Sequence, residues 1–130
     1  MNDETAGQMR AMIRRVPLKN IKDDGETQTC SVEVAEGIWR DDVEILQPYG
    51  FASHIDEDGA LGIVLAVGGD EGDLIVMPVA NPSKRMGGLK KNEVGLYNAG
   101  GDKIVMGEGG ALDASSGSSM TFSTPDGHLK

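Results

Sequence analysis

A mainly β chain built around a small antiparallel Greek-key barrel is the fold that this sequence predicts, with a short helix before the barrel and a Gly/Ser-rich segment after it. Three observations predict it. Seven short β-branched runs lie between Pro17 and Met106, separated by clusters of Gly, Asn and Asp. They recur every roughly 10–15 residues with no long 3.6-residue period between them, which favours a barrel or sandwich over alternating strands and helices. The 130 residues suffice for one domain but not for two cores, and 19 glycines against five aromatics (Trp39, Tyr49, Phe51, Tyr97, Phe122) leave that domain a thin core.

The first element is the helix. Thr5 and Gln8 have the spacing of a capping box, and Met9, Met12, Ile13 and Val16 recur at i, i+3, i+4 and i+7 before Pro17 ends the run. A helix over 6–16 follows, in an N-terminal region 1–16, and its apolar stripe must dock on its own domain, on copies of itself or on a larger partner. Region 17–106 is the barrel, with strands expected in VPLKNIK, TQTCSVEVA, DVEILQ, LGIVLAV, DLIVMPV, EVGLYNA and DKIVM. Asn98–Asp102 (NAGGD) predicts a tight hairpin, because its glycines accept the positive φ such turns need. Region 107–130 is a tail that cannot bury a core alone. It is either disordered, or ordered by a strand in SSMTFST and a turn at PDG once several chains wrap around a shared core.

Charge and residue type narrow the function. Twelve Lys and Arg against 21 Asp and Glu give a formal charge of −9, which removes the electrostatic source of a sequence-independent grip on nucleic acid. Cys30 is the single cysteine, so neither an intrachain disulfide nor a multi-cysteine metal site can form within one chain; a half-buried strand position is expected for it. No run approaches the ~18–20 apolar residues that span a bilayer, and no basic-then-apolar leader is seen, so the expectation is a protein made soluble in a reducing cytoplasm.

Candidate sites are sparse. Asp56-Glu57-Asp58 and Asp70, Glu71 and Asp73 lack the EF-hand spacing and are expected to be solvated turn charge. His54 and His128 stand far apart, so a histidine site requires three copies of His128 converging on a threefold axis. Cys30, Ser115, Ser116, Ser118 and Ser119 have no partner base in any recognised spacing, and Gly68-Gly69-Asp70 and Gly107-Glu108-Gly109-Gly110 are expected to be turns, not phosphate loops. Lys84, Arg85, Lys90 and Lys91 form a basic run that could hold an anion, interrupted by Gly87 and Gly88.

The ordered series Gln47-Pro48-Tyr49-Gly50-Phe51-Ala52-Ser53-His54, Gly62-Ile63-Val64-Leu65, Val67-Gly68-Gly69-Asp70, Leu74-Ile75-Val76-Met77, Asn92-Glu93-Val94-Gly95-Leu96-Tyr97 and Gly101-Asp102-Lys103-Ile104 resembles the central spike of Mu-like phage baseplates, the baseplate assembly protein V family. The resemblance implies an OB-fold barrel joined to a C-terminal trimeric β-helix or prism, with Leu112, Met120 and Phe122 filling a trimer core. It implies a homotrimer in the virion, assembled in the host cytoplasm, docked to the tail hub and transiently to the host outer membrane. It implies no catalytic residue. Longer spikes of this family end in a His-x-His apex that binds iron; here Gly127-His128-Leu129-Lys130 has no second histidine, so a separate tip protein or a missing distal part is the alternative. Two other readings stand beside the spike. One is an OB-type module using Lys84 to Lys91 to bind an oligosaccharide, a single strand or a protein, and the other a small hydrolase or metalloenzyme, for which no constellation is assembled.

Overall fold

In this computed structural model residues 12–127 are described, and they form eight strands and three single-turn 3₁₀ segments with no α-helix among them. Five strands close into a barrel: β1 (Ile13–Lys22), β2 (Gln28–Ala35), β3 (Ile38–Ile45), β4 (Leu61–Ala66) and β5 (Leu74–Ala80). Around the barrel the order is β1-β2-β3-β5-β4, returning to β1. The pairs are antiparallel except β3 with β5, which run parallel. That single parallel pair departs from the all-antiparallel expectation, and five strands in this Greek-key order make an OB-like barrel.

Closure rests on β1, which serves two partners. Its first half, Ile13–Pro17, pairs with β4, and Leu18 to Lys22 pair with β2. Pro17 stands at the changeover, where a missing backbone donor costs least. The interior is filled by Val16, Leu18, Cys30, Val32, Val43, Ile45, Val64 and Val76, with no aromatic side chain among the buried residues. β-Branched residues suit a narrow barrel, because they pack on a pleated surface with little rotamer freedom to lose.

The expected helix over 6–16 is not found where it can be checked. Residues 6–11, Met9 included, lie outside the described residues, and Ile13–Val16 belong to β1. Two causes act against helix. Ile13 and Val16 are β-branched, and Pro17 pushes the residue before it into extended backbone. The strand period was hidden because Arg14 takes an inward position between Met12 and Val16. Its Nη1 donates to the Val34 carbonyl at 3.2 Å and its Nη2 pairs with Glu71 at 3.2 Å. The proposed stripe is therefore split across the strand: Val16 is 5% exposed inside the barrel, while Ile13 is 66% exposed outside it.

Two bulges bend the barrel at one level. Between Lys19 and Lys22 the register of β1 slips, with Asn20 at φ 53°; opposite Ser31, β3 gains a residue, with Asp42 at φ 57°. The slip after Asn20 turns Ile21 inward. Buried Ser31 on β2 joins both bulges: Asn20 Nδ2 donates to its hydroxyl at 3.3 Å, and the hydroxyl donates to Asp41 Oδ1 at 2.6 Å. Curvature thus comes with its polar groups satisfied. The β2–β3 hairpin turns at Glu36 and Gly37 (φ 72°), a signal absent from the turn clusters read in the sequence. The acidic triplet Asp56-Glu57-Asp58 is turn charge, and Glu57 Oε1 accepts the Ile21 amide at 3.1 Å.

A second compact unit starts at Lys84, the first ending at Ser83. It holds β6 (Val94–Tyr97), β7 (Lys103–Met106) and β8 (Leu112–Ser115) in one antiparallel meander. The barrel was expected to run to Met106, but it closes at Ala80, and the two later strands pair with β8 instead. The NAGGD hairpin is present: Tyr97 pairs with Lys103, Gly101 has φ 93°, and the Asn98 amide donates to the Asp102 carbonyl at 3.2 Å. Gly107–Gly110 form the next turn, as Gly68-Gly69-Asp70 do between β4 and β5. The tail supplies its strand at Leu112–Ser115, while SSMTFST has none; the PDG turn is closed by the Gly127 amide donating to the Thr124 carbonyl at 3.0 Å.

Two outcomes are expected of the barrel. A Cβ at Gly62 would lie 2.6 Å from Cγ1 of fully buried Val76 and 3.2 Å from the Pro78 carbonyl, so Gly62→Ala should destabilise by about 1–3 kcal/mol in denaturant titration. Cys30 is 1% exposed, deeper than the half-buried position expected, and burial pushes its thiol from the ordinary 9.0 up to about 11. Burial favours the neutral thiol, so its stabilising contribution holds below pH 9 and fades as pH rises toward 11. Native protein at pH 8 should accordingly resist iodoacetamide, and guanidinium-unfolded protein should be labelled fully.

Candidate assembly surface

Strand periodicity and register decide what the second sheet shows to solvent. Val94 faces Met106, which faces Leu112; Leu96 faces Ile104, which faces Ala114. Successive side chains alternate across a sheet, so these six apolar residues share one face. Val94, Leu96, Ile104, Met106 and Leu112 are each about half exposed or more. The opposite face at Gly95 is covered by its own chain, since a Cβ there would lie 2.6 Å from Met86 Cε. Met86 thus covers the Gly95 position of the opposite face, on which Tyr97 is still 50% exposed, while the apolar face stays open to solvent.

Along the bare face runs an open groove of about 440 Å³, lined by Leu96, Ile104, Ala114, Met120 and Phe122 among others. The groove brings two of the three expected trimer-core residues, Met120 and Phe122, beside the sheet, while the third, Leu112, lies on the sheet face itself with Met106. All three are exposed in the single chain. From Lys84 to Gly127 no residue is buried. A three-stranded sheet without a single buried side chain lacks the apolar burial that offsets chain entropy, so its bare face requires a cover. Half-exposed side chains of this size would add roughly 4–7 kcal/mol per chain if five of them were fully buried.

The hairpin end of the sheet is pinned by polar contacts. Asp102 Oδ1 accepts the Gly117 amide at 3.1 Å and Asp102 Oδ2 accepts from Asn98 Nδ2 at 3.0 Å, which leads the tail back past the β6–β7 turn. The Asn98 side chain, then the Gly117 amide, hold the Asp102 carboxyl below its ordinary range.

The matching family is Bacteriophage Mu Gp45, N-terminal, over residues 15–83, a little over half of the chain and nearly the whole barrel unit. The chain belongs to this family. No curated protein matches it. Members of the Gp45 family are structural components of the phage baseplate, and this chain is accordingly a component of the virion tail with other baseplate proteins as neighbours.

Other candidate residues are not drawn together. Met9 and His128 lie outside the described residues, and Met12, 36% exposed, precedes β1. Lys84 ends the 3₁₀ turn Pro82–Lys84, and Lys90 and Glu93 close a turn in which the Lys90 amide donates to Glu93 Oε1 at 2.7 Å. None of Lys84, Arg85, Lys90 and Lys91 lines the apolar groove. His54 is exposed, and among the described residues no group of three or more His, Cys, Asp or Glu could hold a metal ion. Among those residues no helix is long and apolar enough to cross a membrane. The residues that sequence reading missed are Val94, Leu96, Ile104 and Met106. Their alternation is present in EVGLYNA and DKIVM, strands that the sequence places in the barrel region 17–106.

The Asp102 latch can be followed directly. Its stabilising contribution is present above the ordinary carboxylate range and is lost as pH falls through the lowered value. In an NMR titration the Gly117 amide should report a midpoint below that of an ordinary aspartate, and Asp102→Ala should abolish that transition.

Proposed function

We propose that the chain is the homotrimeric central spike of a contractile phage tail, each protomer turning the apolar face of β6–β8 toward a common axis. The observation that carries this reading is the absence of any buried residue between Lys84 and Gly127, on a sheet whose one bare face is wholly apolar. Threefold closure satisfies both needs at once, since each face is covered by two copies and the open edges of β6 and β8 gain neighbours. Leu112, Met120 and Phe122 then enter the shared interior, and the Gly/Ser-rich tail tapers toward the axis.

The role of such a part is mechanical. Sheath contraction drives the spike against the host envelope, and an interlocked β-trimer resists because its backbone hydrogen bonds and apolar interior must fail together. No residue acts catalytically. Three copies of His128 could meet on the axis to hold an ion, or the end could carry a separate tip protein. The charge of −9 per chain keeps the assembly soluble and away from the packaged genome.

Light scattering on the purified chain tests the reading: the expected mass is three times the 13.7 kDa of one chain, and a monomer at micromolar concentration overturns it. Leu96→Ser with Ile104→Ser should lower the mass to that of a monomer, while the barrel, whose buried core lies between Val16 and Val76, keeps its cooperative unfolding transition.

A further inference from the structure

The β3–β4 connection carries the most exposed aromatic residue of the chain. It opens with Gln47-Pro48-Tyr49-Gly50-Phe51, where the Phe51 amide donates to the Pro48 carbonyl at 3.0 Å and Gly50 takes φ 89°, as the third position of a type II turn requires. The base of this turn is locked from both sides. Gln47 Oε1 accepts the Ser53 amide at 2.8 Å, and the Ser53 carbonyl accepts Gln47 Nε2 and Gln28 Nε2, each at 2.9 Å. Gln28, on β2, also accepts Gln47 Nε2 at 2.9 Å, tying the loop to the barrel. At the tip Tyr49 is fully exposed and Phe51 is 62% exposed.

Two of five aromatics held out in water on a loop braced to the barrel are poorly explained by folding. They contribute nothing to the core, yet they offer large apolar area that loses little conformational freedom on docking. Beside the loop base lies a groove of about 230 Å³, lined by Asp23, Glu26, Glu44 and Leu46 and walled by Ala52 and Ser53. No basic side chain lines it. The pair of features, an aromatic knob and an acidic, partly apolar groove, selects a partner by charge and shape together.

We propose that Tyr49, Phe51 and this groove form a docking site for a protein segment that presents an arginine or lysine beside an apolar side chain. The cation enters between the carboxylates of Asp23, Glu26 and Glu44, and the apolar neighbour packs on Phe51 and Leu46, with the Tyr49 ring free to cover the cation. Anionic lipid headgroups and nucleic acid carry the wrong charge for the groove. The inference rests on the baseplate reading, which makes the segment part of another baseplate component, but not on the trimeric state.

The test uses the full chain and three synthetic peptides of equal length, of alternating Arg and Leu, Glu and Leu, or Gln and Leu, followed by amide NMR. The Arg/Leu peptide should perturb residues 23–28 and 44–53 and weaken as salt rises. Both Tyr49→Ser/Phe51→Ser and Glu26→Gln/Glu44→Gln should lose about tenfold or more in affinity, whereas Glu36→Gln/Asp113→Asn, which removes the same charge elsewhere, should lose little. Equal binding of the three peptides, perturbations mapping elsewhere, or an equal loss in the Glu36/Asp113 control would overturn the proposal. So would a fall in light-scattering mass for Tyr49→Ser/Phe51→Ser, which would assign the knob to a second copy of this chain. A monomeric wild type with intact peptide binding would instead defeat the trimer and leave this site standing.

Discussion

The barrel closes because β1 is long enough, and bent enough, to pair with β4 over its first half and with β2 over its second. The bend depends on a residue slipped out of register at Asn20, matched by one on β3 at Asp42. Ser31 connects the two through Asn20 and Asp41. The register also slips between Glu33 and Ala35 and between Gly62 and Val64, so the curvature that keeps the apolar interior from water is shared among four irregular points.

Closure has a consequence for everything outside the barrel. Among the described residues all the buried hydrophobic side chains lie between Val16 and Val76, with valine the commonest of them, so the interior is complete without an aromatic. Trp39 lies on the outer surface with the Lys19 ammonium 3.9 Å from its ring centre; Tyr49 and Phe51 project from a loop, and Tyr97 and Phe122 belong to the second unit. The second sheet inherits no share of the core. A structural component of a baseplate is the kind of protein in which such surfaces are normal, since its parts are stable as an assembly rather than as isolated chains.

Strand content, the turn positions and the hairpin at Asn98–Asp102 were legible in the sequence because they depend on local chemistry: β-branched runs, and glycines where φ must be positive. The segment before Pro17 misled for a local reason too. Met9, Met12, Ile13 and Val16 fit a helical period by spacing alone, and the inward Arg14, held by Val34 and Glu71, broke the alternation that would have announced a strand. The Glu36-Gly37 hairpin was missed because its single glycine stands without the Asn, Asp or second Gly that mark the other turns.

By itself, then, the sequence determined the β class, the surplus of glycine over aromatic residues, the acidic charge and the family resemblance that membership in the Gp45 family upholds. Only the tertiary structure decided which strands share a sheet. Alternation states that a strand has an apolar face but not what that face meets. Pairing partners are chosen by long-range register, so β6 and β7 joined β8 rather than the barrel, and their apolar faces were left outside.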